Sequence, residues 1–170
     1  TSNDLFTWEK HPSNPVYTPS TTWASWNTST WSNCRDPFVF QDQGTWYLTT
    51  TAWTNANGGA ISLASSSDLV HWTDLGPLLV HPGPTQSWHV LESTNLHHYG
   101  GKWHLFFTEQ NVAGSSYLSA PNLTGPWDFN ARQPFDAGHA IEIFQLAGKW
   151  MLSRHTTFAF DGLPRYTIKF

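Results

Sequence analysis

The chain has 170 residues, which is enough for one domain with its own hydrophobic core. Since 39% of the residues are apolar, only 12% are charged and 11 are Trp, we expect a globular protein that handles flat, uncharged ligands. The net charge of -4, with only 8 Lys and Arg, argues against nucleic acid or an anionic membrane as a partner, because both require clustered cations.

Turn-forming residues interrupt the chain at short intervals, and no amphipathic helical period persists between them. The sequence therefore predicts an all-β fold. The predicted strands, in chain order, are Pro37–Gln41, Thr45–Ala52, Ala60–Ser65, Val70–Leu75, Ser93–His97, Lys102–Glu109, Ser116–Ala120, Ala140–Gln145, Lys149–His155 and Arg165–Phe170.

Two short motifs recur along the chain. Gly-x-Trp-x-Leu occurs three times, beginning at Gly44, Gly101 and Gly148, with spacings of 57 and 47 residues. Ser-x-Asp-Leu-x-x-Trp occurs at Ser2–Trp8 and Ser66–Trp72, with a degenerate third copy that ends at Trp127. Repeats of this length that each contain four short strands predict the blades of a β-propeller.

The repeats divide a single domain, residues 1–170, into about three blades of four strands. We place the blades at about 36–82, 90–135 and 139–170, and we expect an N-terminal strand at 5–12 to complete the last one. Propellers usually have four to eight blades. Several chains therefore share a ring as a homo-oligomer, or the sequence is a piece of a longer propeller, or three blades close by themselves.

The residues that open the blades carry a family resemblance. Arg35-Asp36-Pro37 opens one blade and Leu91-Glu92-Ser93 the next, and with the Ser-x-Asp-Leu-x-x-Trp ends they resemble the five-bladed propeller glycoside hydrolases of families 43, 32 and 68. That resemblance implies two catalytic residues. Asp36 matches the Asp that orients the sugar, and Glu92 matches the acid that protonates the leaving oxygen.

The sequence also departs from this family pattern. The blade that should carry the base or nucleophile Asp is absent, and only its outer-strand signature at Ser2–Trp8 is present. Asp136 is the one plausible substitute in this chain. Alternatively, Asp36-Pro37 matches the Asp-Pro of that first blade, which would leave the orienting position empty.

Four further residues are predicted to bind the sugar. Arg35 offers a fork of donors to hydroxyl groups, Trp31 and Trp88 offer flat apolar faces, and the resemblance places His139 at the channel. No spacing of His, Asp or Cys indicates a metal site, and we expect no cofactor.

Compartment and function are predicted only coarsely. Cys34 is the single cysteine, which excludes a disulfide framework, and no apolar run is long enough to cross a membrane. Sequon-like stretches at Asn27 and Asn122 favour a secreted protein. We expect a glycoside hydrolase acting on furanoside or pentose-type polysaccharides or oligosaccharides, with a lectin-like or degenerate propeller that binds sugar without turnover as the alternative.

Overall fold

The computed structural model describes residues 1–27, 33–83, 89–110, 112–160 and 163–169, with side chains up to residue 155. Apart from one 3-10 turn at Phe129–Ala131, its regular elements are eleven strands. They are β1 Arg35–Asp42, β2 Thr45–Trp53, β3 Gly59–Ser66, β4 Trp72–Val80, β5 Leu91–Tyr99, β6 Lys102–Glu109, β7 Ser115–Ala120, β8 Gln133–Asp136, β9 His139–Leu146, β10 Lys149–Phe160 and β11 Leu163–Lys169. No helix among the described residues is long and apolar enough to span a membrane.

The strands form three antiparallel sheets, and within each sheet they follow one another in chain order. The first sheet is β1-β2-β3-β4, the second is β5-β6-β7-β8 and the third is β9-β10-β11. Successive meandering sheets of this kind are the blades of a propeller, so the predicted fold class is confirmed. The innermost strands β1, β5 and β9 line up beside one another.

One strand was missed by the sequence prediction. Gln133–Asp136 forms β8, the fourth strand of the second sheet, and it follows Trp127 rather than containing it. Pro134 lies inside this strand and cannot donate a backbone hydrogen bond, which is tolerated at a sheet edge and hides the strand from pattern analysis.

The hydrophobic core lies between the first and second sheets. Ile61, Leu91, Leu105 and Phe107 are fully buried there, and large aromatic side chains of the first sheet pack against them. Phe40 and Trp103 approach to 5.7 Å between ring centroids. The Trp of the second Gly-x-Trp-x-Leu repeat therefore contributes to packing between blades.

Buried polar side chains tie each sheet to the next. The hydroxyls of Thr49 and Thr94 lie 2.9 Å apart and join the first two sheets. Asn95 donates from Nδ2 to the carbonyl of Ile141 at 2.9 Å, and its Oδ1 accepts from the backbone N of Ile143 at 2.8 Å. Because Asn95 is 1% exposed and shielded from water, its amide group depends on these protein partners.

The Ser-x-Asp-Leu-x-x-Trp motif forms a tight turn before β4. Asp68 Oδ1 accepts hydrogen bonds from the backbone N of Val70 at 2.9 Å and of His71 at 2.7 Å. Trp72 closes the turn by donating from Nε1 to the carbonyl of Leu69 at 3.1 Å. Asp68 therefore has a structural role, because Asp favours turns in which its carboxylate accepts local backbone bonds.

The expected N-terminal strand at 5–12 is not formed. Asp4 Oδ1 accepts from the backbone N of Phe6 at 2.8 Å and of Thr7 at 2.7 Å, and Leu5 has a φ of 65°. The same turn as at Asp68 thus occupies the amides that a strand would need. The third sheet consists of three strands within the described residues, and the completion of the last blade by 5–12 stays a prediction.

Candidate active site

All three inner strands begin with the same irregularity. Near the start of each strand one residue has a left-handed φ, which is 53° at Asp36, 52° at Ser93 and 49° at Ala140. These positions are 57 and 47 residues apart, the same spacings as the Gly-x-Trp-x-Leu repeats. The ladder register shifts at all three positions, which marks a bulge that redirects side chains at the end of a sheet. Strained backbone of this kind concentrates at functional sites.

The preceding register position of the three inner strands is filled by Arg35, Glu92 and His139. Arg35 donates from Nη2 to Oε1 of Glu92, so the first two blades are joined by an ion pair at their inner ends. Both side chains are largely buried, at 20% and 17% exposed. The cation of Arg35, at the start of β1, is thus paired with a carboxylate from the next blade.

Asp36 lies beside this ion pair. Its Oδ2 accepts from the backbone N of Ser93 at 3.2 Å and from the hydroxyl of Thr51 at 3.3 Å. The Nε atom of Arg35 is 4.0 Å from the same oxygen. Arg35 therefore bridges Asp36 and Glu92, and its shorter contact is to Glu92, the partner that sequence proximity did not indicate. The two predicted catalytic carboxylates share one cation at one end of the propeller.

The third inner strand contributes a histidine and a carboxylate. His139 is exposed at the start of β9 and lies opposite His155 of β10 in the ladder. Partial burial raises the pKa of the Glu142 carboxyl group above its ordinary value, and the negative charge of Asp36 raises it further. Glu142 as a residue is exposed, so this burial is incomplete. Asp36 of the first inner strand is therefore near enough to Glu142 of the third for their charges to interact.

Asp136, the predicted substitute for the missing base, ends β8. Both of its carboxylate oxygens bind Nη1 of Arg154, and Oδ1 accepts from the backbone N of Gly138 at 2.6 Å. The hydrogen bond from Arg154 lowers the pKa of Asp136. This ion pair fastens the second sheet to the third, and none of the hydrogen bonds described for Asp136 reaches Asp36 or Glu92. A catalytic role for Asp136 stays a prediction.

The predicted aromatic contacts have different outcomes. Trp31 and Trp88 lie outside the described residues, so their sugar-stacking roles stay predictions. Trp23, from the same Thr- and Ser-rich run as Trp31, donates from Nε1 to Oδ2 of Asp74 at 2.8 Å. Asp74 also accepts from the backbone N of Ser20 at 2.7 Å. Trp23 thus helps to hold the N-terminal segment against the outer edge of the first sheet.

A cavity lies at the opposite end of β5 from Glu92. It has a volume of about 320 Å³ and an apolar lining that includes His97, Tyr99, Phe106 and Trp150. Burial lowers the pKa of His97, which favours its neutral form. Since Glu92 lies near the start of β5 and Tyr99 ends it, this cavity belongs to packing between the second and third sheets and not to the carboxylate site.

Sequence reasoning missed a buried polar cluster next to Glu92. Glu109, the last residue of β6, is 4% exposed, and its Oε1 lies 2.9 Å from Nε2 of His81. Nδ1 of His89 is 3.9 Å from the same oxygen, and Nε of Arg132 is 3.4 Å from Oε2. These residues are far apart in the chain, and no motif connects them.

Two features show that this cluster is not arranged for a metal ion. The backbone N of Gly83 donates to Nδ1 of His81 at 2.8 Å, so the ring proton of neutral His81 lies on Nε2 and points at Glu109. The rings of His81 and His89 stack with centroids 4.2 Å apart and only 5° between their planes. In-plane lone pairs of two parallel rings cannot converge on one ion. Burial lowers the pKa of His81, in agreement with a neutral ring.

The four-stranded blades and the paired carboxylates at their inner ends define a propeller of the glycoside hydrolase class. The model for glycosyl hydrolases family 43 matches residues 32–142, and the chain belongs to this family. The matched region contains Arg35, Asp36 and Glu92 and ends at Glu142. No curated protein matches the chain.

Solved structures of related enzymes share this fold. The GH32 beta-fructofuranosidase BmSUC1 of Bombyx mori superposes with a TM-score of 0.69 at 23% identity, over 91% of this chain and 34% of that one. The exo-beta-1,3-galactanase of Phanerochaete chrysosporium gives 0.58 at 19% identity, over 77% and 35%. Zg3597, a family 117 glycoside hydrolase from Zobellia galactanivorans, gives 0.58 at 16% identity, over 80% and 50%. The chain spans about a third of the length of the first two.

Proposed function

We propose that these blades carry part of the active site of an enzyme that hydrolyses glycosidic bonds, with Glu92 as proton donor and Asp36 as the residue that orients the sugar. The observation that carries the proposal is the shared contact with Arg35, which holds the two carboxylates together at the inner ends of neighbouring blades. Family membership supports it, because residues 32–142 match glycosyl hydrolases family 43.

The chemistry requires one carboxyl group that gives a proton to the glycosidic oxygen as the C–O bond breaks. It also requires a second carboxylate on the other side of the sugar, which acts as the base for the attacking water or as the nucleophile. Glu92 supplies the proton once a substrate hydroxyl has replaced it as the partner of Arg35. Asp36 keeps its bonds to Ser93 and Thr51 and accepts from a sugar hydroxyl with its remaining oxygen. The second carboxylate comes from Asp136, from a neighbouring copy or from a longer form of the protein.

The substrate class we propose is a furanoside or pentose-type polysaccharide or oligosaccharide. The similar structures are named as a beta-fructofuranosidase and an exo-beta-1,3-galactanase, so fructose and galactose units belong in the same comparison. Trp31, Trp88 and His139 are proposed to contact the sugar. We also propose that the protein is secreted and that copies share blades in a homo-oligomer, which a molar mass in multiples of 19.2 kDa would support.

A sugar-binding propeller without turnover is the second candidate. The observation that favours it is the ion pair itself, because Arg35 occupies the carboxylate that would have to carry the proton. The third inner strand also has Ala140 at the position of Asp36, so it adds no carboxylate at that register. In this function Arg35, Asp36 and Glu92 together bind hydroxyl groups.

Hydrolysis of a substrate panel separates the two candidates. The panel contains aryl furanosides and pyranosides together with arabinan, xylan, fructan and beta-1,3-galactan, and Glu9→Gln serves as an exposed control. We expect Glu92→Gln to lower turnover by about 100-fold or more while binding persists. Equal turnover in Glu92→Gln and Glu9→Gln would remove Glu92 from the acid role. No turnover by the wild-type protein, with sugar affinity lost in Arg35→Ala, would favour the second candidate.

A further inference from the structure

The start of β5 is joined to β6 by a short piece of ladder that stands apart from the rest. The register between β5 and β6 shifts between Glu92 and Asn95, and Ser93 has a φ of 52° inside this irregular stretch. Two ladder pairs, Leu91 with Glu109 and Glu92 with Thr108, hold the first residues of β5 against the end of β6, and the irregular stretch separates them from the rest of the ladder. The position of Glu92 therefore depends on the end of β6 and on the residues that precede Glu92.

Those preceding residues are fixed at two points. Leu91 lies directly opposite Glu109 in the ladder, and the backbone N of Gln110 donates to the carbonyl of Val90 at 2.9 Å. The carbonyl of His89 lies against Gly59, where a Cβ atom would come within 1.6 Å of it. The chain that leads into Glu92 thus runs between β3 on one side and the end of β6 on the other.

Glu109 is the charged group at the centre of this anchor. Its Oε1 accepts from Nε2 of His81, whose backbone N donates to the carbonyl of Gly59 at 2.8 Å. Its Oε2 is buried without a hydrogen-bond partner and faces Arg132 at 3.4 Å. The guanidinium of Arg132 lies 4.4 Å above the ring of Phe129, which also contacts His81 edge-on. One carboxylate thereby connects the ends of β4 and β6 with the segment before β8.

We propose that Glu109 is a positioning residue for Glu92: with His81 and Arg132 it holds the first residues of β5 in the register that places Glu92 against Arg35 and the Ser93 amide against Asp36. The role rests on the proposed function, since it concerns the acid of that reaction. Glu109 does not touch the substrate, and it acts through Leu91 and the backbone of β5.

Hydrogen exchange of single backbone amides tests this role without any turnover. The Ser93 amide donates to Asp36 at 3.2 Å and reports whether β5 is seated in the site. The Ile143 amide donates to Asn95 at 2.8 Å and reports a boundary between sheets away from the anchor. We expect Glu109→Gln, which keeps the size and removes the charge, to lower the protection of Ser93 at least tenfold while that of Ile143 changes less than twofold.

Two companion variants keep the test decisive. Arg132→Gln leaves the buried carboxylate of Glu109 without its cation, and we expect a loss of protection at Ser93 at least as large as in Glu109→Gln, again with Ile143 changed less than twofold. Glu9→Gln, an exposed carboxylate far from β5, should change neither amide. Unchanged protection of Ser93 in Glu109→Gln, or an equal fall at Ser93 and Ile143, would overturn the positioning role.

Steady-state kinetics add a second readout if the protein is a hydrolase. Glu109→Gln should then lower kcat and leave KM within about twofold, because a misplaced acid weakens the chemical step more than substrate binding. A change in KM alone would contradict the role. A wild-type protein without hydrolase activity would count against the proposed function. The exchange result at Ser93 would then decide by itself whether Glu109 holds the start of β5 in place.

Discussion

The backbone amide of Ser93 donates a hydrogen bond to Oδ2 of Asp36 at 3.2 Å, across the boundary between the first two blades. The two residues occupy the same register position of successive inner strands, and both have a left-handed φ. This bond joins equivalent positions of the two strands that carry the candidate catalytic groups and, with the ion pair between Arg35 and Glu92, holds them side by side.

Replacing Asn95 with Ala should loosen the third blade. The variant leaves the backbone N of Ile143 and the carbonyl of Ile141 without their partner in a buried place, at a cost of about 3 kcal/mol in the free energy of unfolding. Urea unfolding measures this cost. Asn130→Ala, at an exposed position, should stay within about 0.5 kcal/mol of the wild type, and an equal effect of the two substitutions would contradict the prediction.

Replacing Asp36 with Asn should lower the pKa of Glu142. Burial raises this pKa first and the charge of Asp36 second, so the variant removes only the second cause. Because the folded protein holds this proton more tightly than the unfolded chain, the linked stability is present at low pH and is lost as the pH rises through the folded pKa. Carbon-13 NMR of the Glu142 carboxyl group measures the shift. Asp74→Asn is the control, and identical midpoints in both variants would refute the coupling.

Replacing Gly59 with Ala should destabilise the fold strongly. A Cβ atom would lie 1.6 Å from the carbonyl of His89, so β3 and the segment before β5 would have to separate, at about 3 kcal/mol or more. The neighbouring Gly58 is the control, since its Cβ would meet only the hydroxyl of Thr54 at 3.3 Å. Thermal unfolding followed by circular dichroism compares the two variants. A Gly58→Ala protein as unstable as Gly59→Ala would count against this explanation.

The N-terminal turn should depend on pH through Asp4. Backbone hydrogen bonds from Thr7 and then Phe6 lower the pKa of Asp4 from 3.8 to about 2. Its contribution to folding is therefore present above the ordinary pKa and is lost as the pH falls through the lowered value. A carboxyl titration by NMR should give a midpoint near 2. Ser2→Ala should change it little, because the Ser2 hydroxyl is a smaller cause, and a wild-type midpoint near 3.8 would exclude the turn in solution.

The sequence predicted those parts of the fold that depend on local pattern. Gly-x-Trp-x-Leu located the strand pairs. The turn motif contains the Asp whose carboxylate accepts the backbone hydrogen bonds of the turn. β8 was missed because Pro134 breaks the pattern of a strand. Residues 5–12 carry the turn motif, and the sheets of the described residues do not include them, so their place in the last blade stays a prediction.

The candidate site was predictable only in part for a similar reason. Asp36 and Glu92 could be found because each lies at the start of a repeat. In a propeller the inner strands lie side by side, so the starts of successive repeats come close together. The Glu109 cluster depends on chain segments that meet only after folding, and nothing local marks His81 or Arg132. The contact of Arg35 with Glu92 was not predicted either, because the two residues belong to different blades and no motif connects them.

The left-handed bulge that opens each inner strand carries an acid at Asp36, a hydroxyl at Ser93 and a methyl group at Ala140. One backbone conformation accommodates all three, so the main chain does not dictate the chemistry that a blade presents. Such a scaffold permits exchange of functional groups by single substitutions, without redesign of the strand. Ala140→Asp would install a carboxylate on a third blade at the register of Asp36, which makes that position the natural starting point for engineering the site.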